Sequence, residues 1–274
     1  MTFPVYLSVG TVRIPAHVLF EALAYTVGFA VYRRTRARQG DRLSDATRWT
    51  VIAAAAIGAA IGSKVLFWLE DPRLTIEWLR TDPSRLVGGK TIVGGLLGGT
   101  IAVEIAKWHA GERRSTGDLF VVPICAGTAV GRIGCFLGGL EDHTFGTATS
   151  LPWGIDFGDG IARHPTQLYE IVFMAALAGA AIRVAPHLGL RNGERFKLFM
   201  LAYVTFRLAV DFVKPAATLG GMSAIQWACL PGIAYYARFL PAIARERPQP
   251  VAAGRQHGPL GPVSSRGPGG SHHG

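Results

Sequence analysis

The chain has 274 residues, of which 49% are hydrophobic and only 17% charged, and its mean hydropathy is +0.28. A soluble domain carries about a quarter of its residues as charges, so the deficit argues against an ordinary aqueous globule and for a lipid bilayer as solvent. The net charge of +10 does not imply nucleic acid. The basic residues fall in short connections between apolar runs, the distribution that orients a protein in a membrane.

Seven apolar segments follow one another: residues 14–32, 49–69, 92–108, 119–137, 168–184, 196–213 and 224–240. Each is close to the roughly 20 residues that a spanning helix needs. The pattern predicts an all-α, polytopic membrane protein of about seven transmembrane helices. The first segment has no basic stretch before it and no small-residue cleavage site after it, which predicts a retained helix. Trp49, Trp68 and Trp108 fall at segment ends, where indole rings favour the headgroup region.

The connections alternate in charge. The first carries Arg33, Arg34, Arg36, Arg38, Arg42 and Arg48, the third Lys107, Arg113 and Arg114, and the fifth Arg183, Arg191, Arg195 and Lys197. The long fourth carries Glu141, Asp142, Asp156 and Asp159. Counting Lys and Arg, the odd connections and the C-terminus are cytoplasmic and the N-terminus lies outside. Arg73, Arg80 and Arg85 in the second connection blur that contrast. Residues 1–244 are read as the membrane domain. Residues 245–274, rich in Pro, Gly, Arg and His, are expected to form a disordered basic cytoplasmic tail.

Gly58/Gly62, Gly94/Gly98, Gly95/Gly99 and Gly127/Gly131 repeat at the spacing that lets helices approach closely in lipid. The run from Gly94 to Gly99 is also dense enough for a substrate to meet backbone, with Gly94 and Gly95 as candidates. Cys125, Cys135 and Cys229 lie inside apolar segments without CxxC spacing. They suggest neither a zinc motif nor a disulfide framework, and no metal is expected.

The polar residues that matter are those placed where charge is costly. An arginine in mid-span costs roughly 2.5–3.5 kcal/mol on insertion scales and tends to be functional. Arg132 lies in the fourth segment and Arg207 in the sixth, both in the outer half of the membrane in this topology. The fifth segment opens at the same side with His164-Pro165-Thr166-Gln167-Leu168-Tyr169-Glu170. Proline at the first helical position is pre-shaped for the helix, and the free N–H groups there favour an anion. Lys64 and Glu21 fall at comparable depth. Two guanidinium groups beside a helix start suit one phosphodiester, so the inferred substrate is a phospholipid. Structural alternatives stay open for each residue: either arginine as the partner of Glu21, Glu104 or Glu170, His164 as a cap, Tyr169 as an interfacial anchor.

These residues also carry a family likeness. The stretches Gly131-Arg132-Ile133-Gly134-Cys135-Phe136, Arg163-His164-Pro165-Thr166-Gln167-Leu168-Tyr169-Glu170 and Tyr203-Val204-Thr205-Phe206-Arg207 resemble blocks of the bacterial prolipoprotein diacylglyceryl transferases. The glycine pattern at 88–95 and the region of Gln226 match more loosely. The resemblance implies a multi-pass enzyme of the bacterial inner membrane that needs no cofactor. Such an enzyme moves a diacylglyceryl group from phosphatidylglycerol to the lipobox cysteine of a prolipoprotein. Arg132 and Arg207 would hold the phosphate and His164 would be a candidate base. Gln167, Tyr169, Glu170, Gly94, Gly95 and Glu21 would line the substrate site. The sequence departs from the family pattern at Val93, which replaces a histidine, at Cys135, which replaces an asparagine, at Leu140, which replaces a glutamate, and at Glu21, which aligns with a tyrosine. Phosphate binding is matched and thiol activation is not. That leaves His164 or Glu21 as base, an altered acceptor, or a non-catalytic phospholipid-binding descendant as the alternative.

Overall fold

The computed structural model describes residues 3–41 and 43–245. The expected disordered tail lies, from residue 246 on, outside the described residues. Among the described residues the regular structure is helical apart from two short two-stranded sheets.

An antiparallel hairpin, β1 (Tyr6–Val9) and β2 (Val12–Pro15), opens the structure and turns at Gly10, whose φ of 61° suits a residue without Cβ. Ile14, expected to begin the first helix, belongs to β2. Helix α1 (Ala16–Gln39) runs on through the basic stretch beyond residue 32. There Arg36 reaches Asp41 at 2.8 Å and Asp45 at 2.5 Å, while buried Arg48 forks onto Asp41. Ser44 caps α2 (Asp45–Glu70) by accepting the Thr47 N–H.

The second connection holds a helix that the segment reading left out, α3 (Pro72–Thr81). Asp71 caps it and Pro72 takes its first position, where the missing N–H costs nothing. Then follow α4 (Ile92–His109), capped by Thr91, and α5 (Val121–Gly138), flanked by 3₁₀ turns. The long connection pairs β3 (Ile155–Asp156) with β4 (Ala162–Arg163). Helix α6 (Thr166–Arg183) starts one residue later than expected, with Pro165 as its cap residue rather than its first turn. Next come α7 (Glu194–Val210), α8 (Ala224–Ala237), opened by a reciprocal Ser223–Gln226 capping box, and α9 (Leu240–Arg245). Each of the seven predicted apolar segments contains a long α-helix. Two stretches, Asp45–Glu70 and Asp118–Asp142, are long and apolar enough to cross a membrane by length and composition.

Helices pack as α2 on α4, α1 on α5, α5 on α6 and α7 on α8. The α2–α4 crossing is a glycine seam. A methyl added to Gly62 would lie 2.3 Å from the Gly94 carbonyl, and one on Gly58 would lie 2.5 Å from that of Gly98. Gly95 turns to the same helix with ordinary spacing, 3.6 Å from the Ala59 carbonyl. Gly94 and Gly95, the candidates to meet substrate, both turn their Cα hydrogens to α2, where close backbone contact holds the crossing together. Gly94→Ala should destabilise the protein by ~1–3 kcal/mol through overpacking, whereas Gly95→Ala should stay within ~0.5 kcal/mol. Thermal unfolding in detergent measures both.

Val93, next in the chain, is 1% exposed in a core cluster with Leu66, Met174, Met200, Tyr203 and Cys229. Lys64 is committed to the turn before α4, donating to the carbonyls of Val87, Gly88 and Gly89.

Candidate active site

The C-terminal halves of α5 and α7 meet the first turns of α6 at one end of the bundle. Arg132 comes from α5, Arg207 from α7 and Glu170 from α6, and all three are buried. Their charges converge on one atom. Glu170 Oε2 lies 2.7 Å from Arg132 Nε and accepts from Arg207 Nη1 at 3.2 Å. The other carboxylate oxygen accepts the Tyr203 hydroxyl at 2.6 Å. Arg207 also reaches Asp211, one turn on, at 3.5 Å, and Asp211 in turn accepts the Ser223 hydroxyl. Burying such charges is tolerable only when they are paired.

The pairing is incomplete. The Nε atoms of Arg132 and Arg207, and both amide atoms of Gln167, are shielded from solvent without a hydrogen-bond partner among the described residues. At Arg132 the Nε–Oε2 approach is short, but the N–H is not aimed at the oxygen. Gln167 sits one turn before Glu170 on the same buried face of α6. Buried polar groups cost about 1–3 kcal/mol each when unmatched; the donors among them, Arg207 Nε and Gln167 Nε2, suit an oxygen ligand, whereas Gln167 Oε1 accepts.

Beside Arg207 a cavity of about 160 Å³ is lined by Glu70, Asp71, His143, Asp211, Lys214 and Ser223 among others. Burial, then Arg207 and Arg132, pull the Lys214 ammonium down to about 8. Sequence inspection singled out neither Asp211 nor Lys214. The signal for Asp211 was present in its spacing of four from Arg207 on a helix. Lys214 carried none, since it lies just beyond the apolar segment.

The remaining predicted residues divide. His164 does not join the arginines by any hydrogen bond; its Nδ1 lies 3.1 Å from the Tyr169 hydroxyl, which also accepts Trp153 Nε1 at 2.8 Å. The three rings form a polar edge where the long connection enters α6. Glu21 pairs with Lys90 and faces His17 Nε2 at 3.6 Å. Cys135, one turn after Arg132, receives its Nη1 at 3.7 Å.

The family model described as prolipoprotein diacylglyceryl transferase matches residues 4–240. The chain belongs to the prolipoprotein diacylglyceryl transferase family. Proteins named phosphatidylglycerol–prolipoprotein diacylglyceryl transferase are similar to it across most of their length. That of Nitratidesulfovibrio vulgaris (strain DP4) is 29% identical over 235 residues, 82% of this chain and 86% of the relative. That of Geobacter sulfurreducens is 29% identical over 232 residues, 79% and 84%. That of Pseudomonas aeruginosa is 30% identical over 277 residues, 91% and 97%. The chain is therefore a transferase of a membrane-protein family that serves lipoprotein biosynthesis. A membrane setting accounts for large apolar side chains exposed along its helices, among them Ile57, Ile61, Ile101, Ile105, Val172 and Ile182.

Proposed function

We propose that the protein transfers a diacylglyceryl group from phosphatidylglycerol to the lipobox cysteine of a prolipoprotein. The observation that carries this reading is the convergence of Arg132 and Arg207 on a single carboxylate oxygen, with the Arg207 Nε and the Gln167 Nε2 donors unmatched beside it. A phosphodiester placed there meets guanidinium donors on its leaving oxygen. Charge that develops as the C–O bond breaks is stabilised by groups already in position. Glu170 keeps the two cations together, Tyr203 holds Glu170, and Asp211 holds Arg207. Tyr169 and His164 edge the entrance, with His164 as the imidazole at the α6 start.

In this reading all seven long helices cross the bacterial inner membrane, with the N-terminus outside and the C-terminus cytoplasmic. The arginine site then opens to the outer leaflet, where both the lipid and a translocated signal peptide are available. Incubating the purified protein with labelled phosphatidylglycerol and a lipobox peptide tests it. Label on the peptide cysteine is expected, and an unlabelled peptide in the presence of bound lipid would defeat the reading. Buried, apolar Val93 favours the second reading, a phospholipid-binding relative without transfer, and that same outcome would establish it.

Lys214 gives the site a pH signature. Its folded value near 8 means that a cation beside the phosphate site is lost as pH rises through that range. Donor affinity should fall above pH 8 and the fall should vanish in Lys214→Met, measured by lipid binding from pH 6 to 10. The stability sign is opposite. The unfolded lysine holds its proton up to about 10.4, so this group makes the fold more stable as pH rises between the two values.

A further inference from the structure

The cavity beside Arg207 carries more polar groups than a phosphate needs. Asp211 is matched within the protein, by Arg207 at 3.5 Å and by the Ser223 hydroxyl. Asp71 commits one oxygen to the N-terminus of α3. Glu70, at the end of α2, and Lys214, just past α7, are different. Both are half-buried and line the cavity, and among the described residues neither makes a hydrogen bond or an ion pair. Each feels the other's charge without meeting it. His143, exposed in the turn after α5, adds an imidazole that is likewise without a side-chain partner among the described residues.

Two placements bear on what occupies this space. Asp211 both lines the cavity and holds Arg207, so the cavity begins one hydrogen bond away from the phosphate site. Leu69 and Phe212, the chain neighbours of Glu70 and Asp211, are 53% and 66% exposed. A polar lining with apolar flanks suits the headgroup of a lipid whose tails stay in the bilayer.

We propose that this cavity binds the terminal diol of the donor headgroup, with Glu70 and Lys214 as its partners and the ester phosphate on Arg207. The proposal rests on the transferase reading and names the residues that select phosphatidylglycerol among phospholipids. A hydroxyl both donates and accepts, whereas a carboxylate only accepts and an ammonium only donates. One hydroxyl of the diol can therefore donate to Glu70 while it accepts from Lys214, and the second finds Asp71 or His143. Competing headgroups leave part of the lining unmatched. Ethanolamine brings three donors and no acceptor, so Lys214 goes without a partner and repels it. The bare phosphate of phosphatidic acid sets added negative charge against Glu70, Asp71 and Asp211.

Displacement of labelled phosphatidylglycerol from the full-length protein in detergent micelles tests the assignment. Glycerol phosphate, ethanolamine phosphate and inorganic phosphate are the competitors. Glycerol phosphate should act at concentrations about 10–10²-fold lower than the other two, the factor for one hydrogen bond to a charged group. Glu70→Ala should abolish that advantage and leave displacement by inorganic phosphate as it was. Glu70→Gln, which keeps the side-chain volume and one accepting oxygen, should retain part of it. Intact phosphatidylglycerol should outcompete phosphatidylethanolamine by a similar factor, and this preference too should go in Glu70→Ala. Equal potency of the three competitors in wild type, or an advantage that survives Glu70→Ala, would overturn the proposal. So would a preference shown by the soluble phosphates alone, since the diol would then bind there only as a released product. Transfer is read separately. Wild-type protein that transfers from phosphatidylglycerol but shows no diol preference would reject the subsite and leave the transferase reading. A preference that depends on Glu70, in protein that transfers nothing, would reject that reading and leave the subsite.

Discussion

Arg132→Ala should slow diacylglyceryl transfer by about 10²–10³-fold, the usual cost of deleting one preorganised donor from a site of developing negative charge. The size of the effect follows from where the side chain sits. Arg132 is 8% exposed, so in the proposed site its charge would act on a phosphate through little water and be worth more than a surface arginine. It also has two duties, with Nε beside Glu170 and Nη1 on Cys135. Arg132→Lys should recover little of the loss, because one ammonium cannot address two partners in the geometry of a planar fork. Initial rates at saturating and limiting lipid separate binding from chemistry. A kcat unchanged in Arg132→Ala, in protein that melts like wild type, would remove Arg132 from the reaction.

The largest effect on stability belongs to Glu170. It is 1% exposed and serves Arg132, Arg207 and Tyr203 at once. Glu170→Ala leaves two buried guanidinium groups facing each other without their shared counter-charge. Breaking a buried pair in this way costs about 3–5 kcal/mol, and here the two cations also repel. Glu170→Gln should cost less, since the amide oxygen still accepts from one partner, but should lose transfer because the arginines no longer hold one spacing. Chemical or thermal unfolding in detergent reads the difference. A Glu170→Ala protein as stable as wild type would mean that Asp211 alone balances the cluster.

The family match extends over residues 4–240, and the departures within it are unevenly placed. Both arginines and the α6 entry are retained, while Val93 has become core. Cys135 has moved from an expected oddity to a contact of Arg132, His17 and Asp142.

The sequence by itself determined the helices and the two arginines. Apolar runs near the length of a spanning helix gave residues 92–108 against the observed Ile92–His109, and 168–184 against Thr166–Arg183. Small residues four apart marked the α2–α4 seam, and a charge stranded in an apolar run marked Arg132 and Arg207. These signals are local, within about one turn. The helix α3 was within reach of the same reasoning through Asp71 and Pro72, but its length fell short of a span. Only the tertiary structure decided that Glu170 sits between the arginines, that Lys214 shares a cavity with Asp211, that His164 turns to Tyr169, and that His17 meets Cys135 and Asp142. Helical periodicity fixes which face a residue occupies and says nothing about which distant helix that face will meet. That choice belongs to packing, through the glycine seams and buried pairs that bring α1, α5, α6 and α7 together at one end.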